Sequence, residues 1–420
     1  MASAAFVPDP SSVVDAADAT TPSRSRFPAS MVSVACPPGS RYPLLHGIRS
    51  RYVATPRLVQ HIYESGPADG DPLVMVHGNM SSGRFFEDFM AQFPTFHVIA
   101  PDMRGYGATE ASVVDASRGL RDFADDLHEL VEALDLDRFH VLGWSMGGNV
   151  ALQYAIDHSD RLRSLTLLAA GSPYGYGGTR DSDGQPNWHD FAGTGAGLVH
   201  PEVRARFLAR DTSATSFFSP RFMLRQMYGT AHMRVERARE NVLVEQMLMM
   251  AIGDQHYPGD ATRSRNWPFI APGHFGPNNA LSPKYLDQRA FAAIPHRVPV
   301  LWIRGSNDKV TSDAALGDPG VLGKLHVIPR WPGAHVYPPQ PMLAQLRATL
   351  NTYADNGGAY REEVIPRCGH APHIERPVYV RSLVESFLRH DGDAEPTPTA
   401  GAPTAARSAR QAGPPAIRLI

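Results

Sequence analysis

A chain of 420 residues, 43% hydrophobic and 20% charged, can hold one large domain with insertions or two or three small ones. A formal net charge of −2 gives no global pull toward nucleic acid or an anionic membrane. Two cysteines, Cys36 and Cys368, supply neither a disulfide framework nor a Cys/His metal cluster, so no metal and no cofactor are expected.

The stretch up to Ser30 has no basic start and no continuous apolar run, and its Asp9, Asp15 and Asp18 argue against a transit peptide. A cytoplasmic location without a membrane span is the expectation. Residues 1–45, rich in Ser, Ala, Pro and Thr, read as a flexible leader, and the Pro/Ala/Thr-rich 391–420 as a disordered tail. Between them, short apolar runs alternate with amphipathic stretches. That rhythm predicts an α/β fold with a mostly parallel central sheet flanked by helices.

"LVQHIYES" from Leu58 is the first predicted strand, and "PLVMVHG", ending at Gly78, is a buried one followed by a helical "SGRFFEDFMAQF". "FHVIAPDMRGYG" from Phe96 is a strand with a Gly-rich exit. In "LRDFADDLHELVEAL", Leu120, Phe123, Leu127, Leu130, Val131 and Leu134 keep a helical period. "FHVLGWS" is a further buried strand, "NVALQYAIDH" a helix, and "RLRSLTLLAA" a strand ending at Ala170. The alternation then breaks until "VPVLWIRG" resumes it at Val298. The interruption, 172–296, is rich in aromatics and methionines and contains an apolar "VEQMLMMAI". It reads as an inserted, largely helical cap over the C-terminal edge of the sheet, where open α/β folds bind ligands. The core is then 46–171 and 297–390.

"GWSMG", Gly143 to Gly147, sits between a predicted strand and a predicted helix, as a nucleophile elbow requires. Ser145 would occupy a sharp turn whose neighbours must be small, with its hydroxyl projecting outward and the helix N-terminus favouring developing negative charge. An oxyanion hole needs a second main-chain donor besides the N–H of Met146. "VMVHGNMSSG" offers the N–H of Asn79, with Met80 next in position. His77 precedes the nucleophile and is read as shaping this loop; the Asn79 side chain is a further candidate for substrate contact. Trp144 and Met80 are assigned to the substrate pocket. Asp308, at the end of "VPVLWIRGSND", is the candidate acid. Asp102 precedes Ser145 and is read as organising its own turn, with Arg104 as partner.

"HGN" at 77–79, "PDMRGYG" at 101–107, "GWSMGG" at 143–148, "RGSND" at 304–308 and "GHAPHIERP" at 369–377 together resemble the α/β-hydrolase superfamily, in its subgroup with a lid after the sixth strand. The resemblance covers roughly residues 50 to 390 and implies a Ser/Asp/His triad. Two histidines compete for the base. Spacing from Asp308 favours the nearer His335, but "WPGAHVYPPQP" is too rich in proline to run into a helix. "PMLAQLRATLNTYADNGG" is a helix, and "YREEVIPRCGH" a strand entering a Gly-His turn ahead of a closing helix "ERPVYVRSLVESFL". That order matches what the resemblance implies, so His370 is assigned as base. His373 is read as structural or as a pocket wall, Glu375 as holding the loop, and 312–360 as an insertion at the rim of the site.

Haloalkane dehalogenases and epoxide hydrolases, which share "HGN" and a cap, use an aspartate nucleophile, so Ser145 argues against both. The expected activity is cleavage of an ester or lactone bond in a small, largely apolar molecule, with no nucleic-acid or membrane partner. A hydrolase cleaving a C–C bond in a diketone-like substrate, and a small-ligand receptor that retains the triad, are the alternatives.

Overall fold

The computed structural model describes Cys36 and residues 39–231 and 233–390. The expected tail at 391–420, and the leader up to residue 35, lie outside these residues. Eight strands form the central sheet: β1 (Arg49–Ala54), β2 (Val59–Ser65), β3 (Asp71–Val76), β4 (Phe96–Pro101), β5 (Phe139–Trp144), β6 (Leu162–Leu168), β7 (Val300–Gly305) and β8 (Tyr360–Ile365). Their spatial order is β1-β2-β4-β3-β5-β6-β7-β8. β1 and β2, and β2 and β4, pair antiparallel; every other neighbour is parallel.

The centre of the sheet is made of continuous apolar runs because both its faces are covered. Leu73 to Val76, Val98 to Ala100, Leu165, Leu167 and Leu301 to Ile303 are all buried. Helices α1 (Arg121–Ala133) and α2 (Met146–His158) lie between strands, with Phe123, Leu127, Leu130 and Val131 of α1 buried. Two further helices, α5 (Met342–Asp355) and α6 (Pro377–His390), flank β8 in sequence.

β1 was not expected. Its "RSRYVA" buries Ser50 and Val53 and exposes Arg49 and Tyr52, an edge strand with too few apolar residues to stand out. It closes on β2 through Arg51, whose guanidinium pairs with Glu64 at 2.8 and 3.0 Å. The helix expected in "SGRFFEDFMAQF" is only a 3₁₀ turn, Gly83–Phe86, and one helical turn, Glu87–Met90.

Residues 40–45 are not a flexible leader but a strap. Ser40 Oγ donates to Glu245 Oε2 at 2.6 Å, and the Arg41 N–H to Glu245 Oε1 at 3.0 Å. The fully buried Arg84 donates to the Tyr42 carbonyl at 3.0 Å and also to the Pro43 carbonyl. A buried guanidinium needs such acceptors, and short-range sequence pattern does not reveal them.

Between β6 and β7 the insertion is less helical than expected. Its longer helices are α3 (Pro201–Leu208) and α4 (Arg237–Met247). The remainder is loops, single turns and three two-stranded ladders. The density of glycine and proline before His200 forbids longer helices. At Gly193, φ is 82°, and a Cβ would lie 2.2 Å from the Tyr337 hydroxyl. That hydroxyl, from the segment between β7 and β8, donates to the Gly193 carbonyl at 3.0 Å. The same segment donates from Gln340 Nε2 to the Gly175 carbonyl (3.1 Å), while its Pro329 carbonyl accepts Trp267 Nε1–H (2.9 Å). Among the described residues, no helix is long and apolar enough to cross a membrane.

Candidate active site

Ser145 lies between β5 and α2 with φ 57° and ψ −124°, a strained conformation for a non-glycine residue. Its surroundings explain the glycines: a Cβ on Gly143 would lie 2.2 Å from the Gly147 carbonyl oxygen, and one on Gly147 2.1 Å from that of Val76. The Ser145 N–H donates to the Leu168 carbonyl at 2.9 Å and its carbonyl accepts the Gly148 N–H at 2.8 Å. The turn is therefore clamped between two strands and a helix, and the strain is over-determined.

His370 Nε2 lies 2.8 Å from Ser145 Oγ, and His370 Nδ1 lies 2.9 Å from Asp308 Oδ2. Asp308 follows β7; its Oδ1 accepts the N–H groups of Val310 (2.7 Å) and Thr311 (3.0 Å), and Oδ2 the Thr311 hydroxyl (2.7 Å). Burial pushes this carboxyl's pKa upward, but the His370 charge and these donors outweigh it and hold the pKa below the usual range. The residues flanking His370 are pinned as well. Gly369 donates to Glu375 Oε2 at 2.7 Å, and Ala371 to the Tyr228 carbonyl at 2.9 Å. His335 is exposed in a turn between β7 and β8, so it is His370 that the fold brings onto Ser145.

The loop after β3 lies against the elbow: a Cβ on Gly78 would be 2.9 Å from that of Ser145. His77 is the anchor of this loop. Its Nδ1–H donates to the Gly78 carbonyl at 2.7 Å, while Nε2 accepts the Met103 N–H at 3.0 Å. Burial lowers its pKa to about 4, which keeps it in this neutral form. Asn79, Met80, Ser145, Met146 and His370 line one cavity of about 280 Å³. Its other walls come largely from the insertion, including Leu198, Val203, Phe218, Met223, Met227 and Tyr228. The segment between β7 and β8 contributes Val310, Thr311 and Gly317. No Asp, Glu, Lys or Arg is among the described lining residues.

Several sequence assignments are corrected by this geometry. Trp144 is buried behind Ser145 and His370, 5.4 Å by ring centroids from Tyr228 and 4.8 Å from His373, with Nε1–H donating to the His370 carbonyl at 2.7 Å. Strand alternation sends its side chain to the packed side, away from the cavity. His373 lies against Trp144 and Phe86 instead of forming a pocket wall; burial, with the nearby charges of His370 and Arg239, lowers its pKa to about 3. The Asn79 carboxamide is spent on protein: Oδ1 accepts from Met80 N–H (3.0 Å) and Tyr106 OH (2.6 Å), and Nδ2 donates to Asn278 Oδ1 (2.7 Å). Asp102 does organise its turn, accepting from Gly83 and Ala108 N–H groups, but its side-chain partner is His61 at 2.9 Å. Arg104 pairs with Asp126 instead.

Tyr228, one of the insertion's aromatics, lines the cavity; Tyr257, Asn149 and Asn278 line it too and had no sequence signal, two of them lying in the irregular insertion. Among the described residues, no group of three or more His, Cys, Asp or Glu could hold a metal ion.

A family model described as alpha/beta hydrolase fold matches residues 71–329. A Variovorax paradoxus protein assigned by name as carbamate hydrolase RutD is 36% identical over 114 residues, covering 27% of this chain and 42% of that one. Epoxide hydrolase 2 of Caenorhabditis elegans is 29% identical over 127 residues, covering 30% of this chain and 36% of that one. The chain thus spans less than half the length of either relative. The solved structure of a serine hydrolase from Cycloclasticus zankles superimposes with a TM-score of 0.53 at 13% identity, over 83% of this chain and 100% of that one. At that identity the likeness concerns the fold alone.

Proposed function

The chain belongs to the alpha/beta hydrolase family, and on that premise we propose that it is a serine hydrolase cleaving an ester or lactone bond of a small, uncharged, largely apolar substrate. The observation that carries this reading is the unbroken hydrogen-bond chain Ser145–His370–Asp308, opening on a cavity without a formally charged side chain.

In the proposed reaction His370 Nε2 takes the Ser145 proton as Oγ attacks the substrate carbonyl carbon. Asp308 keeps the other proton on Nδ1 and stabilises the imidazolium that forms. The N–H groups of Asn79 and Met146 receive the oxyanion. His370 then returns its proton to the leaving oxygen as the carbonyl re-forms, which frees the alcohol and leaves an acyl-serine. Water, deprotonated by the same imidazole, releases the acid. A neutral cavity suits this chemistry, because a low-dielectric site strengthens the stabilisation of charge that appears only in the transition state.

The test is fluorophosphonate labelling of wild type and Ser145→Ala, followed by turnover of short-chain esters and lactones. Labelling confined to the wild type, together with turnover, is the expected result. Folded wild-type protein that takes no label would overturn the nucleophile assignment. Label without turnover of any ester or lactone would favour the C–C hydrolase or the small-ligand receptor.

A further inference from the structure

Asn278 stands at the cavity end of a hydrogen-bond relay whose polarity is fixed. The Met80 N–H can only donate, and it meets Asn79 Oδ1 at 3.0 Å. Asn79 must therefore turn Nδ2 toward Asn278, and it does so onto Oδ1 at 2.7 Å. The Asn278 oxygen is thereby engaged, while its Nδ2 has no protein partner among the described residues. The turn carrying it is held by its neighbour Asn279, whose Oδ1 accepts the Ala196 N–H at 2.8 Å and whose Nδ2 donates to the Asp260 carbonyl at 2.7 Å. Asn278 thus has two N–H bonds to offer, from a fixed position in the lining of the cavity that Ser145 and Asn79 also line.

Resting on the serine hydrolase reading, we infer that Asn278 is a specificity-determining residue that donates to a second oxygen acceptor of the substrate, a carbonyl or ether oxygen a few bonds from the scissile carbonyl. Its carboxamide is one hydrogen bond away from the side chain of Asn79, the residue whose main-chain N–H is assigned to the oxyanion. An acceptor reaching Asn278 therefore lies close to the carbonyl under attack. The substrate class is an oxo-substituted acyl ester, or a lactone bearing such an oxygen. A plain hydrocarbon chain in the same place leaves the amide N–H groups unpaired, and a site built to donate a hydrogen bond discriminates against a ligand without the acceptor.

The experiment compares p-nitrophenyl pentanoate with its β-oxo and γ-oxo counterparts, each kcat/KM divided by that ester's hydroxide-catalysed rate. Wild type is expected to favour at least one oxo ester by about tenfold. Asn278→Ala brings that ratio toward unity. Asn278→Asp keeps an acceptor for Asn79 Nδ2 but turns an acceptor toward the substrate, so its ratio falls below unity. Equal corrected rates for all three esters in wild type overturn the inference while leaving the hydrolase reading intact, as does a folded Asn278→Asp that keeps the wild-type ratio. If neither variant folds, the wild-type ratio alone decides. No turnover of any ester and no fluorophosphonate label on Ser145 overturn the hydrolase reading, and this inference with it.

Discussion

The hydroxyl of Tyr228 donates to the main-chain carbonyl of Asn79 at 2.7 Å. The carbonyl of Tyr228 in turn accepts the N–H of Ala371, next to His370, at 2.9 Å. One residue of the insertion therefore fixes both the loop assigned to the oxyanion and the loop carrying the assigned base. Removing the hydroxyl leaves a carbonyl unpaired in a buried site and loosens the peptide that follows. Tyr228→Phe should lower kcat by about 5- to 10-fold with KM changed by less than about twofold, since one neutral hydrogen bond is worth roughly 1 kcal/mol. Steady-state kinetics on a short ester measure both constants.

The two candidate histidines separate cleanly by mutation. His370→Ala should cut ester turnover by at least about 10³-fold, because the assigned nucleophile loses its assigned base. His335→Ala, exposed and outside the cavity, should stay within about twofold of wild type. Asp308→Asn should preserve the geometry while presenting the wrong hydrogen-bonding group to Nδ1, with a loss of about 10⁴-fold in kcat. Circular dichroism and thermal melting show whether each variant remains folded.

Gly78 is the point at which the loop after β3 touches the elbow. A Cβ there would lie 2.9 Å from Ser145 Cβ and 3.4 Å from its Oγ. Gly78→Ala must push the loop and the nucleophile apart, so kcat should fall by about 10²-fold or more while the melting temperature drops only modestly. A variant with wild-type kcat would show that the loop position does not matter to the chemistry.

Glu64 provides a pH-dependent contribution to stability. Burial opposes its ionisation, but hydrogen bonds from His97 at 3.2 Å and Arg51 at 2.8 Å outweigh it and bring the pKa to about 2. A folded value below the unfolded one of about 4.3 means that this stabilisation is present above pH ~5. It is lost as pH falls through ~4.3 toward 2. Glu64→Gln should therefore be less stable than wild type at neutral pH by on the order of 2–3 kcal/mol, with the gap closing toward pH 2. Denaturant titrations at neutral and acid pH give the comparison.

The elements that carry the assigned triad were legible because each sits where two periodicities meet. Ser145 is announced by glycines that only a strand-to-helix collision requires, and Asp308 by a buried strand ending in a polar turn. His370 was separable from His335 by the helix and strand that follow the proline-rich stretch, not by spacing. What stayed hidden depended on partners distant in sequence. Arg84 looks like a surface residue until the Tyr42 and Pro43 carbonyls are placed on it. Trp144 looked like a pocket wall because adjacency to Ser145 in sequence says nothing of side-chain direction at the end of a strand. Asn278 was invisible because its significance lies in the bond from Asn79, 199 positions away, and no local pattern encodes that.

Two clasps hold the insertion: residues 40–43, which bridge Glu245 of the insertion to Arg84 of the core, and the segment between β7 and β8, through Tyr337 and Gln340. Swinging the insertion away from the core would have to break hydrogen bonds at both, part-buried at the first and buried at the second. The cavity above Ser145 is on this view a mould more than a door. Its selectivity would then be set by the shape and polarity of a fixed wall, and substitutions at either clasp, though remote from Ser145, should widen the range of esters accepted before they slow the reaction.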